Sequence, residues 1–216
     1  MNLAPPNHPA IPSDVHTEIM RRLAHAAIVD DIDLNGWDIR KALRLFWKSN
    51  PAFVEWIQSP IRYIECGPFG AHARGLLPTV YSVESGMYHY RSMAKTTERA
   101  YLRNHQVSLK KYFYALRPLL SVLWLERYGT PAPIEFHALL HLIDDRPALR
   151  TDIDALLDRK RAAPEMGIGN PVLSINAFVA EQLARLETMR LEATRKPGAV
   201  PALDALFHTV LDESGR

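Results

Sequence analysis

The sequence predicts an α+β fold that is predominantly α, and three observations predict it. Apolar residues recur at three- and four-residue steps over most of residues 82–212. Extended character is confined to short N-terminal runs, chiefly Ile28 to Leu34. Helix-start and turn signals, Asn35-Gly36, Asn50-Pro51, Gly129-Thr130-Pro131 and Asn170-Pro171, divide the chain into short and medium elements. The 216 residues, 47% hydrophobic and 23% charged, are enough to bury a sizeable core.

Residues 1–12 contain four prolines and no periodic pattern, which reads as a flexible arm. Ser13-Asp14 offers a cap for a short helix bearing Val15, Ile19 and Leu23. An acidic strand follows, with Ile28, Val29, Ile32 and Leu34 interrupted by Asp30, Asp31 and Asp33. Asn35-Gly36 ends it, because both residues tolerate the left-handed conformation of a tight turn. Asp38 then favours a first helical turn, and Ile39, Ala42, Leu43 and Phe46 follow at helical spacing. Asn50-Pro51 starts a second helix, carrying Glu55 and Trp56. Ile61, Tyr63 and Ile64 alternate as a further short strand before a glycine-bearing loop.

From Ser82 the pattern is helical. Val83, Met87, Tyr90, Ala94, Thr97 and Tyr101 make one apolar stripe about five turns long. The next helix carries Leu109, Tyr112, Phe113, Leu116, Leu119, Leu120, Leu123 and Trp124, with Pro118 inside it to bend it. Shorter helices are expected near 133–143, 147–162, 172–191 and 200–212. The stretch 161–171 reads as a hinge, with Asn170-Pro171 opening the next helix. Trp37, Trp47, Trp56 and Trp124 read as core residues.

The formal net charge of +2 is small, but it is unevenly spread. Between Arg91 and Arg117 stand Arg91, Lys95, Arg99, Arg103, Lys110, Lys111 and Arg117, against Glu98 alone. Such a stripe is either a solvated helical face or a phosphate-binding surface, and spacing does not separate the two. Tyr88, His89, Tyr112 and Tyr114 lie close enough in sequence to offer stacking faces. Asp30, Asp31 and Asp33 either solvate a strand end or, as D-x-D at 31–33, hold a divalent ion.

Several chemistries lack their residues. The chain has no Walker or G-x-G-x-x-G loop, no C-x-x-C and no H-E-x-x-H, and Cys66 is its single cysteine. One cysteine fits a reducing compartment, and no apolar run approaches the ~18 residues that span a membrane. The start carries no secretory signal pattern, so a cytoplasmic protein without a membrane partner is expected.

Four stretches carry a resemblance. D-I-D-L-N-G-W-D-I-R-K-A-L-R-L from 31, K-S-N-P-A-F-V-E-W-I-Q-S-P-I from 48, Y-H-Y-R-S-M-A-K from 88 and L-K-K-Y-F-Y-A-L-R-P-L-L from 109 stand in order. Together they resemble the RNA-repair-associated nucleotidyltransferases of the DNA polymerase beta superfamily. The resemblance implies a mixed sheet whose three carboxylates hold two Mg2+ ions, aligning an NTP with an acceptor hydroxyl, RNA included. It implies Asp33 as a catalytic metal ligand in an apolar-Asp-apolar setting, with Asp31 as the alternative. It further implies that Lys110, Lys111 and Arg117 contact triphosphate or substrate, while Arg91, Lys95 and Arg99 are phosphate-binding candidates by charge pattern alone.

One departure from that pattern shapes the expectation. No glycine occurs in residues 1–35, so no Gly-Ser pair precedes Asp33, nor does a second D-x-D. The expected fold is therefore a remnant of a nucleotidyltransferase mixed sheet followed by a C-terminal helical bundle. Its expected divisions are an arm and short helix over 1–27, a partial catalytic domain over 28–80 and a helical domain over 81–216. Alone, such a chain is expected to be inactive unless another chain supplies the missing part, and the expected protein partner is a second copy in a homo-oligomer or a complementing chain. The alternative is a non-catalytic module that binds nucleotide, nucleic acid or a partner through its helices.

Overall fold

A computed structural model describes residues 28–29, 32–33, 36–62, 65, 67–162 and 167–214. By packing, the chain divides into residues 1–39 and 40–216. In the first unit, β1 (Ile28–Val29) pairs antiparallel with β2 (Ile32–Asp33), in the register Ile28 with Asp33 and Val29 with Ile32. The expected single strand over Ile28–Leu34 is thus a hairpin. Alternation of apolar and acidic residues is common to one strand and to two short ones, so pattern could not locate the reversal. The expected arm and short helix over 1–27, together with Asp30, Asp31, Leu34 and Asn35, lie outside the described residues.

Helix α1 (Ile39–Trp47) buries Ala42, Leu43 and Phe46, the face that spacing marked. Helix α2 (Pro51–Gln58) begins as expected. The Asn50 side chain accepts from the Ala52 and Phe53 amides at 3.1 and 3.4 Å, and Pro51 takes the first helical position. Between them Ser49, fully buried with φ 52°, turns the chain. Its Oγ accepts from the Ser82 amide at 2.9 Å, tying this turn to the start of a later helix. Ile61 and Arg62 form no strand, and Tyr63, Ile64 and Cys66 lie outside the description. Two short helices follow instead, α3 (Phe69–Gly75) and α4 (Leu77–Val80).

The core of the second unit is the contact between α5 (Val83–Thr97) and α6 (Lys110–Tyr128). Ser82 caps α5, its Oγ accepting from the Ser85 amide at 3.1 Å. Met87, Tyr90 and Ala94 of the expected stripe are buried, but Tyr101 is 42% exposed. A π turn over Glu98–Leu102 continues α5. Its wider winding breaks the 3.6-residue register and brings Leu102 inward in place of Tyr101.

Helix α6 runs through Pro118 and ends at Gly129, whose φ of 64° suits the left-handed cap. A proline in a helix interior costs about 3 kcal/mol. Burial of Leu116, Leu119, Leu120 and Leu125 outweighs it, since each stabilises by about 1.5–3 kcal/mol.

Beyond α6 come α7 (Phe136–Leu139) with a 3-10 turn over Leu140–Ile143, α8 (Pro147–Ala162), α9 (Leu173–Thr188) and α10 (Ala199–Ser214). The expected start at Asn170-Pro171 is displaced. Instead β4 (Ile168–Gly169) pairs antiparallel with β3 (Val107–Ser108), and Val172 caps α9. The Val172 amide donates to the Tyr112 hydroxyl at 2.8 Å, so the segment expected to hinge is pinned to the start of α6 at its described end. Helix α9 packs on α8, α6 and α5, and α10 packs on α3 and α4. Among the described residues no helix is long and apolar enough to cross a membrane. The fold is α+β and predominantly α, its described strands confined to two short antiparallel pairs.

Candidate functional site

The tryptophans expected in the core are not deeply buried: Trp56 is 53% exposed, and Trp47 lies half-buried beneath the Arg195 guanidinium, 5.0 Å from the ring centroid. Tyr112 is fully buried and unavailable for stacking. His89 is half-buried, its Nε2 3.1 Å from the Lys48 carbonyl oxygen. Burial holds the imidazole below its ordinary value, against the opposing pull of that hydrogen bond.

The basic residues separate into two groups. Arg91 Nη1 donates to the Leu186 carbonyl at 3.0 Å, and Lys95 Nζ meets Glu187 Oε1 at 2.6 Å. Both therefore tie α5 to the C-terminal turn of α9, Arg91 by satisfying a terminal carbonyl and Lys95 by pairing with a carboxylate. Arg103 pairs with both oxygens of Glu98, at 2.8 and 3.0 Å.

The second group lies around the π turn and the start of α6. Lys111 Nζ stands 4.2 Å from the Tyr101 ring centroid and 4.8 Å from that of Tyr114. Tyr101 is 42% and Tyr114 57% exposed, so ring surface remains open to solvent. Arg99, on the same π turn, is exposed and forms no hydrogen bond or ion pair among the described residues. Lys110 is exposed beside Lys111. Cationic and aromatic side chains thus share one surface, the combination that binds single-stranded nucleic acid. Tyr101 escaped the sequence reading because its spacing fitted the apolar stripe.

Arg117 lies elsewhere. Its Nη2 is 3.2 Å from Glu55 Oε1, and its guanidinium donates to the Ile134 carbonyl and, at 3.4 Å, to that of Pro133. Tyr90 donates its hydroxyl to the same Glu55 oxygen at 2.9 Å. Burial, with Glu55 beside it, pushes the Tyr90 phenol far above its ordinary value, so it remains a donor. Glu55 and Arg117 of this triad line a cleft of ≈ 280 Å3, together with Phe113, Ile134, Phe136, Leu157 and Lys160.

The decisive feature is where these three residues come from. Glu55, Tyr90 and Arg117 belong to three separate stretches that carry the resemblance, and they meet at one carboxylate oxygen. The sequence profile of the RNA repair pathway DNA polymerase beta family (RlaP) matches residues 12–209. The chain belongs to this family. It is also 36% identical over 192 residues to the uncharacterized protein YcgL of Bacillus subtilis strain 168, a match spanning 88% of this chain and 74% of that protein. No solved structure matches.

Family membership makes Mg2+ the metal to test against the described donors. No group of three His, Cys, Asp or Glu side chains that could hold an ion occurs among the described residues. Asp33 is placed on β2 in its backbone alone, and Asp31 lies outside the description. The described donors by themselves therefore do not assemble a dication site.

Proposed function

We propose that the protein binds single-stranded RNA on the surface formed by the π turn and the start of α6, within an RNA-repair role. The observation that carries this reading is the Lys111 ammonium between the exposed Tyr101 and Tyr114 rings, with exposed Arg99, unpaired among the described residues, on the adjoining turn. Aromatic faces stack bases of any sequence, and the cations neutralise backbone phosphates. Arg91, Lys95 and Arg117 take structural roles in this reading, because other groups already engage them.

Tyr101→Ala and Tyr114→Ala test it. Each substitution is expected to weaken binding of a labelled single-stranded RNA by about 1–3 kcal/mol, the worth of one stacked base. Unchanged affinity in both variants would return these tyrosines to the status of a solvated face.

A second reading, metal-dependent nucleotide transfer from an NTP to RNA, is favoured by the family match. Asp33 would be a ligand of that metal, with Asp31 as the alternative, and Mg2+ would supply charge neutralisation when bound. Magnesium-dependent labelling of RNA that disappears in Asp33→Ala would support it; labelling that persists in that variant would remove Asp33 from the chemistry.

A further inference from the structure

The cleft beside Glu55 has features that the RNA surface does not use. Its walls are aromatic and aliphatic, with Phe113 and Phe136 meeting edge to face at 5.4 Å and Ile134 and Leu157 completing the lining. Two polar groups on its lining retain unused capacity. Glu55 Oε1 takes both Tyr90 and Arg117, while Oε2 has no partner among the described residues. Lys160 Nζ lies 5.3 Å from the Phe113 ring centroid and forms no ion pair among those residues.

These groups are ordered along one helical turn of α6. Phe113 and Arg117 are four residues apart on the same face, a rise of about 6 Å. Lys160 stands over the first and Glu55 contacts the second. Arg117 already balances Glu55, which leaves the cleft one positive charge in excess. The complementary ligand has a hydrogen-bond donor for Glu55, a flat apolar body for the phenylalanines and an anion for Lys160. At ≈ 280 Å3 the space lies at the lower edge of ligand-pocket sizes, enough for one ring system and too small for several.

We infer that this cleft is a subsite for one amino-bearing nucleobase and its phosphate. Adenine, cytosine or guanine would donate an exocyclic N–H to Glu55, while uracil has no exocyclic amine and offers only a ring N3–H flanked by two carbonyl oxygens that the carboxylate repels. A carboxylate accepting from a base amine is an established mode of base readout. The inference deepens the RNA-binding reading and rests on it for choosing a nucleotide over other aromatic anions. Tyr90 and Arg117 position the carboxylate rather than contacting the base.

Calorimetric titration of the full chain with AMP, CMP, GMP and UMP tests the inference. The three amino-bearing nucleotides are expected to bind about tenfold more tightly than UMP. In Glu55→Gln the side-chain amide can both donate and accept, so this preference should fall to within about twofold. In Lys160→Ala, AMP should lose its advantage over adenosine while the preference against uracil persists. Equal affinity for AMP and UMP, or an unchanged preference in Glu55→Gln, overturns the inference. Comparing the RNA heptamers U6A and U7 separates the two sources of the ligand. Tighter binding of U6A assigns the subsite to an RNA terminus; equal binding alongside the AMP preference assigns it to free nucleotide. Tyr101→Ala should weaken RNA binding without changing AMP affinity, so failure of the surface and failure of the subsite give different results.

Discussion

Gly86→Ala is expected to destabilise the protein by about 3 kcal/mol or more, the upper range for overpacking a core. A Cβ at this position would lie 2.1 Å from the Tyr81 hydroxyl oxygen, 2.9 Å from its Cζ and 3.2 Å from Leu125 Cδ1. Tyr81 is 3% exposed, and Leu125 is buried in α6, so neither has room to withdraw. For a chain of this length the loss corresponds to a fall in Tm of about 6–12 °C. Tyr81→Phe in the Gly86→Ala background removes the nearest atom but leaves the ring carbon, and should recover part of the loss. A thermal scan showing Gly86→Ala within about 1 °C of the parent would contradict this packing.

Arg117→Ala is expected to cost about 2–3 kcal/mol, below the range for breaking a fully buried ion pair because Arg117 and Glu55 side chains each remain 22% exposed. The substitution leaves Glu55 with Tyr90 alone and frees the Pro133 and Ile134 carbonyls that the guanidinium holds between α6 and α7. Arg117→Lys should not rescue it. One ammonium on a flexible stem cannot reproduce a planar fork serving a carboxylate and two carbonyls. Hydrogen exchange should rise first over residues 130–143, with the Met87–Ala94 portion of α5 remaining protected. Uniform change across the chain, or full rescue by lysine, would contradict the assigned role.

Much of the helical architecture was legible because its signals are local. Asn50-Pro51 encodes a cap and a first helical turn within two residues, and the structure shows both. The stripe Met87, Tyr90, Ala94 marks a buried face at helical spacing. Tyr101 escaped because a π turn changes the period without a distinctive composition, leaving an exposed ring where the stripe expected a buried one. Between Val29 and Ile32 the chain reverses within an acidic run that reads equally well as one strand.

The candidate sites were only partly readable. Lys111 and Arg99 stood out as charges, but their difference from Arg91 and Lys95 depends on partners far along the chain. Leu186 and Glu187 engage the latter two across 95 and 92 residues. Glu55 passed as an ordinary helical residue. Its importance appears only when Tyr90 and Arg117, 35 and 62 positions away, converge on one of its oxygens.

The proposed RNA-binding surface bears Arg99, Lys111 and their neighbouring tyrosines. Its most direct test is the salt dependence of single-stranded RNA binding in the parent chain and in Arg99→Ala/Lys111→Ala. Removing two phosphate-contacting cations should weaken binding and reduce the slope of log K against log salt by about 0.7 per cation. An affinity and slope equal to those of the parent would contradict the account.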